Sequence, residues 1–239
     1  MAMLGGTATG TVDATYVADD ILDGDISNPI KRTGDLSLAL TGTAVGGSNG
    51  AVVAGHLLNP GTTVSLTGDK TASIITSATT PPDGIPLNAG VFWDPAVSVS
   101  NLTIAITGHS GAIYIGGFFV GRFQELRALG PGAALNLTPM EVPYVGEYGG
   151  LSQDREAPPP RRYGGRVWLT DTQAGILNDW FLGCKNNSLP SIIVPFPQRD
   201  PWVVKWTQYS LNPTSVDVSA VAAWEATVEW EELPRYRWP

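Results

Sequence analysis

Between residues 36 and 108 the chain reads as one short strand after another, and this succession limits the fold more than any other feature. LSLALTG (36–42) alternates apolar with small polar side chains, the period of two expected of a half-buried strand. AVVAGHLL (51–58) is a short apolar run, and TTVSLTG (62–68), SIITS (73–77) and SNLTIAITG (100–108) repeat the theme. GGSNG (46–50), NPG (59–61) and TPPDG (80–84) supply turn residues between them. No stretch of helical period and useful length precedes residue 125. Strands this short must stack in layers to bury their apolar faces, which predicts a β-sandwich with jelly-roll-like connections. The 28 glycines and 19 prolines among 239 residues agree with many turns and few long helices.

GHSGAIYIGGFFVGRF (108–123) closes this half. A dinucleotide loop needs G-x-G-x-x-G between a strand and a helix, and a Walker loop needs Gly-Lys-Ser/Thr; neither order is present. The segment is too short to span a bilayer as a helix. Its aromatic and β-branched residues instead predict two strands, AIYI and FFVGRF, meeting at a Gly116–Gly117 turn.

Composition changes near residue 125. Trp93 is the single tryptophan upstream, and seven follow at 168, 180, 202, 206, 224, 230 and 238. Two modules with different cores are expected: a sandwich over 1–125 and an α+β module over 166–239. Between them, 126–165 is rich in Pro and Gly and contains PPPRR, which favours an extended arm. The second module opens with a strand at RVWLT (166–170). Thr170 and Gln173 form a capping-box pattern, Ile176, Leu177, Trp180 and Phe181 share a helix face, and Gly183 is the expected end. Strands at 191–196, 202–211 and 223–233 complete a β-α-β-β-β order. In the last, Trp224, Ala226, Val228 and Trp230 alternate with Glu225, Thr227, Glu229 and Glu231, one face dry and one wet.

A formal net charge of −8 opposes a protein that tracks phosphates, so no nucleic-acid partner is expected. Cys184 is alone, which excludes an intrachain disulfide or a multi-thiolate metal site, and is read as a packed residue near a helix end. The N-terminus lacks a basic region followed by an apolar run, and no run of about 18 apolar residues occurs, so neither a secretory signal nor membrane insertion is expected. Synthesis in a cytoplasm is the expectation. His56, inside an apolar run, reads as a hydrogen-bonded structural imidazole, and His109 as a solvated turn residue. Nothing assembles a nucleophile, base and acid, so the chain is read as non-enzymatic and without a cofactor. Trp93 and Trp202 could stack on a sugar ring, although such residues more often fill cores.

FWDPAVSVSNLTIAITGHSGAIYIGGFFVGRFQEL resembles a pattern in tail-tip proteins of long-tailed phages, of the distal-tail or baseplate type, that carry a galactose-binding-like (discoidin-type) sandwich. The positions that carry it are Gly111, Ile113, Ile115, Gly116, Phe119 and Gly121. GGLSQDREAPPPRRYGGRVWLT and SIIVPFPQRD are similar to the family's arm and following βα module, although the proline triplet departs from the commoner form. The resemblance implies a mainly β protein with a sandwich, an arm and a smaller ring-building module. It implies a virion structural protein forming a ring-like homo-oligomer, trimer or hexamer, that contacts tail tube, hub and tape-measure proteins. Pro158, Pro159, Pro160, Arg161 and Arg162 of the arm, with Tyr236 and Trp238, would meet partners. Discoidin-type sandwiches can hold calcium in an early loop, which makes Asp20, Asp23 and Asp25 weak candidate ligands; the run lacks EF-hand spacing, and a solvated turn is the simpler reading. The alternative function is a carbohydrate-binding adhesin for host surface glycan.

Overall fold

A computed structural model of the chain describes residues 6–76, 85–123, 136–138, 161–187, 190–194, 200–214 and 224–233. They form two compact units, one built on residues 6–123 and one on the described residues of 136–194 and 202–233. Both are sheet structures, and the protein is mainly β.

The first unit comprises β1 (Gly6–Gly10), a 3-10 turn (Ala18–Leu22), β2 (Ile30–Thr33), β3 (Leu36–His56), β4 (Thr63–Gly68), β5 (Ala72–Ile75), β6 (Leu87–Ile106) and β7 (Ala112–Gly121). Every pairing is antiparallel, in the order β2-β7-β3-β6-β4-β5, with β1 also on β3. Two strands dominate: β3 has 21 residues and β6 has 20. Straight, β3 would reach about 70 Å at roughly 3.3 Å per residue. Yet its two flanks meet one loop, since Gly108 N donates to Asp35 Oδ1 (2.9 Å) and Asn59 N donates to His109 Nε2 (3.3 Å). The β3–β6 ribbon must therefore fold back on itself. It does so between Thr41 and Gly50, where the register with β6 shifts three times and Gly47 takes φ 68. The bend is sealed by the Ser48 hydroxyl donating to Val45 O (2.8 Å) and by Trp93 Nε1 donating to Ser48 O (2.9 Å).

The fold-back generates two layers from one sheet. Residues 36–42 and 101–106 lie with β1, β4 and β5; residues 50–56 and 87–92 lie with β7 and β2. Leu38, Leu40, Leu66 and Ile104 of the first layer and Val53, Ile115, Phe118 and Val120 of the second share one buried core. The first layer's outer face is chemically uniform. One register row runs Ser37, Ala105, Ser65, Ser73, and the next runs Thr9, Ala39, Thr103, Thr67.

Two sequence expectations are corrected here. GGSNG does not separate two strands: its glycine and asparagine are spent on the bend of one continuous strand, because β6 pairs on both sides of it. Gly116–Gly117 is not a hairpin turn either. β7 runs unbroken through both, pairing with β2 and β3, and a Cβ on Gly116 would stand 2.4 Å from the Ile26 carbonyl oxygen. The glycine permits close approach of the 26 backbone, which a turn reading does not require.

The second unit contains β8 (Asn136–Thr138), β9 (Arg162–Leu169), α1 (Asp171–Asn187), β10 (Ser191–Ile193), β11 (Trp202–Pro213) and β12 (Trp224–Glu232), in the sheet order β10-β11-β12-β9-β8. From β9 onward this is the expected β-α-β-β-β order. Thr170 and Gln173 form the capping box: Gln173 N donates to Thr170 Oγ1 (3.3 Å) and Thr170 N to Gln173 Oε1 (3.1 Å). The helix passes Gly183, its expected end, and the turn beyond buries Cys184 with its Sγ 3.2 Å from Ser191 Oγ. β9 begins at Arg162 rather than 166, because its Gly-rich start pairs with Val228–Glu231. The strand β8 likewise lies inside the span read as arm. Ala226, Val228 and Trp230 are buried with Leu177 of α1, while Glu225, Glu229 and Glu231 alternate away from that core.

Candidate functional site

The fold-back brings the loops that follow β3, β5 and β6 to one end of the sandwich. There Asn59, Thr76, His109 and Ser110 join in one hydrogen-bonded cluster. Asn59 N donates to His109 Nε2 (3.3 Å), Asn59 Nδ2 to Ser110 Oγ (3.3 Å), and Thr76 Oγ1 to Asn59 O (2.7 Å). Backbone bonds from Gly61 N to Thr76 O (3.3 Å) and from Thr76 N to Thr62 O (3.0 Å) tie the same loops. Asn59 and Ser110 are exposed, while Thr76 is buried. Among the described residues no donor bonds to Asn59 Oδ1. The cluster is uncharged apart from Asp35, whose Oδ1 accepts from Gly108 N.

His56 sits directly beneath. It is 1% exposed, and burial lowers its pKa from 6.5 to about 4. Nδ1 accepts from Leu58 N (3.3 Å), so Nε2 carries the proton, and among the described residues Nε2 is buried without a partner. This is the structural imidazole expected from the sequence, and it fixes the turn that presents Asn59. His109 is a correction: it is half-buried, its Nε2 is an acceptor in the cluster, and its Nδ1 is buried without a partner among the described residues. Its position in a turn signalled solvation, and only the distant Asn59 backbone shows otherwise.

The acidic turn is arranged by its own backbone. Asp23 Oδ1 accepts from Asp25 N (2.7 Å), Asp25 Oδ1 from Ser27 N (2.9 Å) and Ser27 Oγ (2.5 Å), and Asp20 Oδ2 from Asn28 Nδ2 (3.1 Å). Desolvation, together with the nearby Asp25 and Asp20 charges, raises the Asp23 pKa, whereas the Ser27 hydroxyl and amide lower that of Asp25. Among the described residues no group of three or more His, Cys, Asp or Glu side chains is arranged to hold a metal ion.

Trp93 is half-buried, with Lys70 Nζ 5.6 Å from its ring centre. Trp202 is 1% exposed and stacked beneath the Arg161 guanidinium at 3.8 Å, which closes it to a sugar ring. Arg161 also makes a two-point ion pair with buried Glu232 (Nε–Oε2 2.7 Å, Nη2–Oε1 2.7 Å), and Arg162 pairs with Glu231 (2.8 Å). Both arginines are engaged within the chain. Pro158, Pro159, Pro160, Tyr236 and Trp238 lie outside the described residues.

No family model and no curated protein matches the chain. Solved structures similar to it cover about half of its length. The family 32 carbohydrate-binding module of C. perfringens NanJ in complex with galactose is 15% identical, with 48% of this chain and 91% of that one covered and a TM-score of 0.37. The lectin binding domain of Lectinolysin, a His 62 mutant complexed with Lewis b, is 11% identical over 52% and 98%, TM-score 0.39. A pectin binding carbohydrate binding module is 13% identical over 53% and 95%, TM-score 0.36.

Proposed function

We propose that the first unit binds a neutral glycan at the end formed by the loops after β3, β5 and β6. One observation carries this reading: Asn59, Thr76, His109 and Ser110, from three separate loops, form a single uncharged polar cluster on the ends of rigid strands. A sugar hydroxyl both donates and accepts, and is met by groups that do the same, namely amides, hydroxyls and neutral imidazoles. Isothermal titration of the full chain with galactose, Lewis b and pectin fragments tests it. Binding of a neutral sugar, weakened at least tenfold in Asn59→Ala and His109→Ala, supports the reading. Absence of binding to all three, or binding that both variants retain, refutes it.

A second reading is a virion structural protein of a phage tail tip or baseplate, in which the second unit builds a trimeric or hexameric ring. It is favoured by Trp168, a large aromatic 42% exposed on the strand β9 that also carries the Arg166–Glu225 ion pair (3.6 Å). Exposed tryptophans of this kind are common anchors of protein contacts. Mass photometry of the wild type beside Trp168→Ser distinguishes the two: a ring lost in the variant supports assembly, and a strict monomer argues against it.

A further inference from the structure

We propose that His56 is an acid-sensitive latch on the loop end: protonation of its imidazole frees the turn over residues 56–62 and with it the sugar held there. The proposal rests on the glycan reading of that end and adds its regulation. Three features of the turn carry it. The first is a hinge. Between Val53 and His56, β3 has one residue more than β6, and Gly55 takes up the excess with φ 58 while its N–H donates to Asn88 Oδ1 (2.8 Å). The second is the catch. His56, the next residue, is buried, and its Nδ1 holds Leu58 N (3.3 Å). The third is what the catch secures. Asn59 follows Leu58 directly, and its backbone and side chain meet Thr76, His109 and Ser110.

Protonation removes the catch and offers nothing in return. The Nδ1 lone pair that receives Leu58 N is the one a proton takes, and among the described residues Nε2 has no acceptor. An imidazolium here has two donors and no partner, a state that a buried group leaves by moving to water. The surrounding elements supply no compensating charge. The start of β6 (Leu87, Asn88, Ala89) and the loop residues Thr62 and Thr76 carry no ionisable group. β7 brings Tyr114, with Lys31 of β2 over its ring at 5.3 Å. The loop after β6 brings His109, and Asp35 accepts from Gly108 N of that loop. Burial is the cause of the lowered His56 pKa, with no carboxylate contributing, so none of these groups holds the proton in place.

Amide exchange of peptides covering 57–62, and titration calorimetry with galactose, Lewis b and pectin fragments, each at pH 7 and pH 5, test the latch. The imidazole titrates at 6.5 when released and at about 4 when latched, so opening of the turn should rise about twentyfold over that interval. Affinity for the sugar bound at pH 7 should fall at least threefold. His56→Asn keeps an acceptor but cannot titrate, and should show neither change with His109 still in place. In the wild type, that sugar at saturation should move the titration of His56 to lower pH, because coupling is reciprocal. Proton NMR reads this, with only two imidazoles to tell apart. An acid response that persists in His56→Asn overturns the proposal, as does a His56 titration that the sugar leaves in place. If none of the three sugars binds at pH 7, the glycan reading fails and the release step with it. If a sugar binds but exchange over 57–62 is the same at both pH values, the latch fails and the glycan reading stands.

Discussion

Acid should destabilise the first unit through His56 before its carboxylates are neutralised. In the unfolded chain the imidazole titrates near 6.5; buried beneath the Asn59 turn it resists protonation until about pH 4. The unfolded state thus takes up the proton first, and stability that is full above pH 6.5 is lost as pH falls toward 4. The interval between those values, at about 1.36 kcal/mol per pH unit, amounts to about 3 kcal/mol, of which about 2 kcal/mol is already lost at pH 5. The geometry gives the same sign. A charged imidazole would turn Nδ1 from the acceptor of Leu58 N into a second donor facing it, with Nε2 still unpartnered. His56→Asn keeps an acceptor near the Nδ1 position and cannot titrate. The chain has eight tryptophans, so whole-chain fluorescence would mix the two units. Amide exchange of peptides covering 50–56, corrected for intrinsic pH dependence, reads the first unit alone. The wild type should lose protection worth about 2 kcal/mol between pH 7 and 5, and His56→Asn should start lower but stay flatter. An equal acid loss in both proteins would refute the assignment to His56.

Gly116→Ala should destabilise the first unit by about 2–3 kcal/mol, because the added Cβ meets the fixed Ile26 backbone at 2.4 Å. Gly117→Ala, whose Cβ meets the movable Phe119 ring at 3.1 Å, should cost distinctly less in the same exchange experiment. Arg161→Ala should lower the stability of the second unit by about 2–3 kcal/mol, since Glu232, 2% exposed, would lose its two-point partner and remain buried. Amide exchange of peptides covering 224–232 measures it, and unchanged protection would mean that the other contacts of Glu232 hold its charge.

Local alternation made much of the fold readable. Leu36, Leu38 and Leu40 are buried while Ser37 and Ala39 are exposed, and β12 alternates in the same way. What escaped local reading depended on residues far away in the chain. Gly47 supplies the same backbone freedom to a hairpin and to a bend, and only pairing with β6, some 50 residues on, decides between them. Gly116–Gly117 carries the signal of a tight turn, whereas its reason is Ile26, 90 residues earlier. The glycines of RYGG concealed the first half of β9, whose partners lie on β12. The cluster of the candidate site has no sequence signature at all, because Asn59 and His109 are 50 residues apart and meet only after the ribbon has folded.

That folded ribbon has a mechanical consequence. The backbones of β3 and β6 pass from one layer into the other, so the layers resemble two pages of a book bound along a covalent spine at residues 42–49 and 93–99. The opposite margin is crossed by the chain as well, at 34–35, 57–62 and 107–111, so the two layers are joined covalently at both edges. Asn59 lies on one of these crossings and His109 and Ser110 on another, so their hydrogen bonds brace two hinges of the second binding against each other instead of closing an open edge.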